Sequence, residues 1–140
     1  RGLHSRGVRL GIVSTKTGET IEYIMDRYGL KDTLEFVIGS YDVTRHKPHP
    51  EGIFKALDRM GVSKEEFLYC GDTVLDAEAA QRAGVDFAAV LNGTTPAEDL
   101  GRWPCAQSAR ARPELARAPP PNKKKTPGRP PPGIFYTQCG

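Results

Sequence analysis

Phe67-Leu68-Tyr69-Cys70-Gly71-Asp72-Thr73-Val74-Leu75-Asp76 passes from four apolar residues through a glycine to two carboxylates four positions apart. A short apolar run closed by Gly-Asp reads as a buried strand leaving its sheet into a loop. Leu75 to Ala83 then reads as a helix, with Ala79, Ala80 and Ala83 allowing close packing and Gly84 as its stop. A strand feeding directly into a helix is half of a βαβ unit, and the same half recurs on both sides of this stretch.

Upstream, Arg9-Leu10-Gly11-Ile12-Val13 is a second apolar run, closed by Ser14-Thr15-Lys16-Thr17. Ile21, Ile24, Met25 and Tyr28 follow at i, i+3, i+4 and i+7, one face of a helix over Gly18 to Tyr28 that ends at Gly29. Phe36-Val37-Ile38-Gly39 is the next strand. Pro50 opens the next helix, whose apolar face is Ile53, Phe54, Leu57 and Met60 and whose stop is Gly61. Ser63-Lys64-Glu65-Glu66 has capping-box spacing. Downstream, Phe87 to Leu91 is a fourth strand, and Thr95-Pro96-Ala97-Glu98 resembles a helix start with Thr95 as N-cap. Strand and helix alternate three times, then a strand and a helix start follow. Such alternation predicts an α/β fold: a Rossmann-like, three-layer parallel sheet with flanking helices.

The pattern stops after Leu100. Of the twelve prolines, nine lie in Arg102–Gly140, and the charge changes sign at the same place. Residues 1–101 carry 12 Lys/Arg and 16 Asp/Glu, a balance of −4; residues 102–140 carry 8 and 1, a balance of +7. The expected organisation is a core over 1–101 and a Pro/Arg/Lys-rich disordered tail over 102–140. The tail's Lys123-Lys124-Lys125 suits non-specific contact with nucleic acid or an acidic membrane, its proline runs suit a proline-reading domain, and it also reads as sequence without selected function. A break this abrupt, just after Trp103-Pro104, is what a change of reading frame leaves. The split charge excludes a uniformly basic nucleic-acid-binding domain, and no apolar run approaches the roughly 20 residues of a membrane span. Three cysteines without CxxC spacing argue against a disulfide scaffold or zinc site and for a reducing, cytoplasmic setting.

In open α/β sheets, ligands bind beyond the carboxyl ends of the strands. Those ends carry Ser14, Thr15 and Lys16 after the first strand, Asp72 and Asp76 after the third, and Arg45-His46-Lys47-Pro48-His49-Pro50 after the second. A hydroxyl with loop N–H groups holds phosphate oxygens, and a lysine supplies a compact positive charge. Two nearby carboxylates suit Mg²⁺, which takes oxygen ligands and keeps several waters. Taken singly, each residue has a plainer role: Ser14 a turn residue, Lys47 a solvated cation, Asp72 an N-cap, Asp76 a first-turn acid. His46 and His49 suit loop or cap roles, and Cys70 suits a small buried apolar position. Their joint placement on one sheet edge favours a phosphate and metal site.

Ser14 after an apolar strand, Lys47 in Lys-Pro-His-Pro and Gly71-Asp72-x-x-x-Asp76 resemble motifs two, three and four of the haloacid dehalogenase superfamily. The likeness is to its phosphoglycolate phosphatase and β-phosphoglucomutase branch, over roughly residues 1–100. It implies a Mg²⁺-dependent phosphatase of a small phosphorylated metabolite, working through an aspartyl-phosphate intermediate. Ser14 and Thr15 would bind the phosphoryl group and Lys47 would stabilise its charge. Asp72 would be a Mg²⁺ ligand, and Asp76 a second ligand or an orienting carboxylate.

That family's first motif, Asp-x-Asp, occurs nowhere in the 140 residues. The resemblance therefore implies a partial core without the first strand and cap, and an inactive fragment lacking the nucleophile. The alternatives are a non-catalytic degenerate domain and a binding module acting through its basic tail. In the resembled strand order 5-4-1-2-3, strand one lies between the strands at Arg9 and Phe67. Both are then expected to expose unpaired edges, or to close up on each other, leaving a marginally stable chain.

Overall fold

A computed structural model describes residues 2–91, 95–103, 107–109 and 133–136. The elements in chain order are β1 (Arg9–Val13), α1 (Gly18–Arg27), β2 (Phe36–Ile38), α2 (Glu51–Met60), β3 (Phe67–Gly71), α3 (Val74–Ala83), β4 (Asp86–Val90), α4 (Ala97–Leu100), β5 (Gln107–Ala109) and β6 (Gly133–Tyr136). The strands form one parallel sheet in the order β2-β1-β6-β3-β4-β5.

The α/β alternation expected over 1–100 is present. The helices start where local chemistry lets them. Thr17 caps α1, its hydroxyl accepting from Thr20 N–H. Glycines in the left-handed region, Gly61 and Gly84, close α2 and α3. At α2 and α4 the prolines themselves are the N-caps, and Thr95 does not cap α4. On one face of the sheet, Ile53, Ala56, Leu57 and Met60 of α2 and the alanines of α3 pack on Phe67, Tyr69 and Phe87. On the other face, Leu10, Leu68, Cys70 and Ala88 pack with Leu3 and Val8. At the amino edge the Arg9 guanidinium donates to both Glu35 carboxylate oxygens, at 2.6 and 2.7 Å, and to the Met60 carbonyl at 2.7 Å. One side chain thus ties β1 to the approach of β2 and to the end of α2.

The sheet differs from expectation at its centre and one edge. β1 and β3 neither stand open nor pair with each other: β6 lies between them. Leu10, Ile134 and Leu68 are level, as are Ile12, Tyr136 and Cys70. β5 adds an edge beside β4. Both strands come from the stretch expected to form a disordered tail, and both are too short to show an alternating or sustained apolar pattern. The other residues of 104–140 lie outside the described residues. Among the described residues, no helix is long and apolar enough to cross a membrane.

Candidate functional site

All six strands are parallel, so the loops after β1, β2 and β3 leave the same edge of the sheet. Ser14 and Asp72 each lie two residues beyond a level pair, Ile12 and Cys70, with one strand between them. Two strand spacings put them about 10 Å apart. Ser14 is buried; its N–H donates to the Ile38 carbonyl at 2.9 Å and its hydroxyl accepts from Lys16 N–H at 3.1 Å. Thr15 is exposed on the same loop. Ser40 N–H donates to the Lys16 carbonyl at 2.9 Å, fastening this loop to the one after β2. Gly39 permits that approach, since a Cβ there would lie 3.0 Å from the Lys16 carbonyl oxygen and collide with the backbone of Gly18.

Lys47 arrives on the loop before α2, preceding a cis peptide to Pro48. Its ammonium donates to Asp76 Oδ1 at 2.6 Å, with side-chain exposures of 6% for the lysine and 0% for the aspartate. Asp76 Oδ2 accepts from the Thr73 hydroxyl at 2.7 Å and from Thr73 N–H at 3.2 Å. The Thr73 hydroxyl in turn accepts from Asp76 N–H at 3.2 Å. This is a reciprocal capping box opening α3, and its carboxylate is also the counter-ion of the buried lysine. Thr73 is a residue the motif reading missed. Its sequence signal is Thr73-x-x-Asp76 at the start of a helix.

Asp72 is half-buried, and its Oδ1 is buried without a hydrogen-bond partner among the described residues. Burial raises its carboxyl above the ordinary range, with the neighbouring Asp76 charge adding to the effect. A backbone hydrogen bond and the Lys47 charge act the other way. An orphaned carboxylate oxygen at a sheet's carboxyl edge fits a cation that needs oxygen ligands. Asp76 fits less well as a ligand, because both of its oxygens are engaged; its geometry matches an orienting carboxylate. Among the described residues, no group of three or more His, Cys, Asp or Glu converges to hold a metal ion. Mg²⁺, which binds through one or two carboxylates and keeps several waters, fits an oxygen of this kind.

His49 does local work. His49 Nδ1 accepts from Glu51 N–H at 3.2 Å, and its Nε2 lies 3.3 Å from an Arg45 guanidinium nitrogen. Glu51 accepts from the backbone N–H groups of Thr44 and Arg45, at 3.0 and 2.9 Å, which holds the Lys47 loop against α2 and pulls its carboxyl down to about 2. Cys70 is fully buried. A separate cleft of about 440 Å³, lined by Val74, Gln81, Asp99, Arg102 and Trp103, includes none of Ser14, Lys47, Asp72 or Asp76.

Comparison with known proteins adds an independent line. The sequence profile of the haloacid dehalogenase-like hydrolases matches residues 1–90. A curated relative from Oceanobacillus iheyensis, pyrophosphatase PpaX, is 39% identical over 88 residues, covering 63% of this chain and 41% of that protein. The phosphoglycolate phosphatase of Salmonella paratyphi A is 34% identical over 82 residues, covering 59% of this chain and 32% of that protein. A solved haloacid dehalogenase-like hydrolase from Bacteroides fragilis superposes with a TM-score of 0.78 at 38% identity, covering 81% of this chain and 54% of that one. The chain thus spans about two fifths or less of the length of these curated relatives.

Proposed function

Because the chain belongs to the haloacid dehalogenase-like hydrolase family, we propose that its carboxyl edge holds the phosphoryl group of a small phosphorylated metabolite beside Mg²⁺, as part of a phosphomonoester hydrolase. The observation that carries this reading is the buried Lys47–Asp76 pair next to the orphaned oxygen of Asp72. Names of the relatives support the class of chemistry: one is a pyrophosphatase and one a phosphoglycolate phosphatase.

Each residue has a defined task. Lys47, fixed by Asp76, sets a positive charge where a phosphoryl group carries negative charge, the kind of preorganised term that dominates phosphoryl transfer. Ser14 and Thr15 supply their hydroxyls, and Thr15 its backbone N–H, on the opposite side of the central strand. Asp72 would hold Mg²⁺. When bound, the ion neutralises phosphate charge and orients the phosphoryl oxygens. Thr73 acts through Asp76, keeping the carboxylate turned toward the lysine. The family's aspartyl nucleophile has no Asp-x-Asp counterpart in these 140 residues. We therefore propose that this chain binds phosphate and metal but does not turn over by itself.

Mg²⁺ titration of the chain, followed by amide chemical shifts, together with release of inorganic phosphate from a generic phosphomonoester, tests both halves. The expected result is Mg²⁺-dependent shifts around Asp72 that disappear in Asp72→Asn, with no phosphate released. Absence of any Mg²⁺-dependent shift near Asp72 removes the metal assignment. Metal-dependent release of phosphate overturns the reading that this chain lacks a nucleophile.

A further inference from the structure

The loop after β2 is built in two halves. Residues 39–42 form a closed turn: Gly39 N–H donates to Asp42 Oδ2 at 2.7 Å, and Asp42 N–H donates to the Gly39 carbonyl at 3.2 Å. Ser40 N–H fastens that turn to the Lys16 carbonyl, and so to the Ser14 loop. Residues 44–47 carry Lys47 and are held to α2 by the Glu51 carboxylate. The halves meet at Val43, whose backbone is extended, with φ −125° and ψ 147°. The angle at this joint sets how far the Lys47 ammonium stands from Ser14.

One side chain touches both halves. The Lys55 ammonium donates to the Asp42 carbonyl and lies 3.3 Å from Glu51 Oε1, which accepts from Thr44 N–H at 3.0 Å. Lys55 stands one turn after Glu51 on α2, and the first turn of that helix is pressed against the end of β1. A Cβ at Gly52 would lie 2.7 Å from Val13 Cγ1 and 3.7 Å from Val43 Cγ1. The bridge is thus anchored beside the residue that precedes Ser14. Lys55 itself is exposed, and an exposed i,i+4 ion pair adds little to stability. Its bond to the Asp42 carbonyl does something an ion pair on one helix does not: it ties α2 to the turn that carries the Ser14 loop.

From these contacts we infer that Lys55 is a positioning residue of the phosphate site, fixing the swing of the loop about Val43 and with it the separation of Ser14 from Lys47, given that those two groups hold one phosphoryl group as proposed above. Without Lys55 the Asp42 carbonyl turns to water at little cost to the fold, and the two halves sample a wider range of angles. Only part of that range suits a phosphoryl group, and apparent affinity falls with the fraction that does. Loss of a lysine also removes a positive charge, but the pull of a distant surface charge on an anion is screened by salt.

The test uses the full chain. Inorganic phosphate is titrated in the presence of Mg²⁺ at low salt and at about 0.5 M KCl, where the Debye length is only about 4 Å. Amide shifts of Thr15 and Lys47 give the affinity, and urea midpoints give the stability. Lys55→Met is expected to weaken phosphate binding about threefold or more at both salt concentrations, within the range exerted by residues that do not touch a ligand. It is also expected to move the Ser40 and Thr15 amide shifts of the free chain and to leave the urea midpoint nearly unchanged. Lys55→Arg, whose guanidinium can donate to a carbonyl and a carboxylate at once, is expected to restore most of the affinity. Four outcomes overturn the role: an unchanged affinity in Lys55→Met, a loss confined to low salt, a urea midpoint that falls in step with the affinity, and a loss that Lys55→Arg does not restore. A wild-type chain with no phosphate-dependent shift at Thr15 or Lys47 instead overturns the phosphate site, and the role of Lys55 with it.

Discussion

The ammonium of Lys47 and the carboxylate of Asp76 meet at 2.6 Å out of solvent, and the same carboxylate closes the capping box of α3 through Thr73. The position of the proposed phosphate-binding charge is therefore coupled to the start of a helix. A change at either partner is felt by both the fold and the chemistry.

Lys47→Ala leaves Asp76 buried without its counter-ion. Breaking such a pair from one side costs about 3–5 kcal/mol. Lys47→Met combined with Asp76→Asn keeps an acceptor for Thr73 and removes both charges, so it should lose less than Lys47→Ala alone. Urea midpoints of the single and double variants decide this. Equal losses would mean that the pair's charges are not what the single variant exposes.

Asp72→Asn is expected to stabilise the metal-free chain near neutral pH. Its folded carboxyl is raised by burial and by Asp76. Between the ordinary carboxylate range and that raised value, the unfolded chain releases the proton more readily than the folded one, so wild-type stability falls as pH rises. The variant should escape that fall. Midpoints measured from about pH 3 to pH 7 should therefore show a gap that opens with pH. A gap that closes with rising pH would contradict the raised value.

Glu51→Gln is expected to loosen the Lys47 loop with the opposite pH profile. Hydrogen bonds from Thr44 and then Arg45 hold the Glu51 carboxyl at about 2. The stabilisation is complete above the ordinary carboxylate range and is lost as pH falls toward about 2. Amide exchange at Thr44 and Arg45 should be faster in the variant at pH 6 and similar in both proteins near pH 2.

Gly71→Ala should disturb the same centre without touching a charge. A Cβ at this position would lie 2.6 Å from the Asp76 Cγ and 2.7 Å from its Oδ2, both held in place by Thr73 and Lys47. Overpacking of this kind typically costs about 1–3 kcal/mol. Thr73→Ser should be close to neutral, because both hydroxyl bonds survive. Thr73→Val should cost about 1 kcal/mol as a lost cap. A thermal melt of Gly71→Ala indistinguishable from wild type would show that α3 shifts freely.

Much of this was legible in the residues. β1 to β4 announce themselves as apolar runs closed by polar turns, and α1 to α3 as periodic faces ending at glycine, because burial on a sheet leaves that imprint. Lys47, Asp72 and Asp76 could be named because strand ends are where a parallel sheet presents chemistry. What spacing does not carry is side-chain direction. Nothing in Asp72-x-x-x-Asp76 says that the second carboxylate turns back to Thr73 and Lys47 while the first is left with an orphaned oxygen. β5 and β6 were invisible for a different reason. Gln-Ser-Ala and Gly-Ile-Phe-Tyr are too short for a period, and their pairing is set by neighbours far away in sequence.

That distance has a temporal meaning. β6 aligns Gly133 with Arg9, 124 positions earlier, and with Phe67, 66 positions earlier. The flanks of the sheet can assemble from contacts between consecutive elements as the chain emerges from the ribosome. Its middle waits for residues made after the other five strands. Pairings of such long range slow folding, since loop-closure entropy must be met before any contact rewards it. During that wait β1 and β3 stand as two apolar strand edges in a nascent chain, and a chaperone that shields extended segments has its target there.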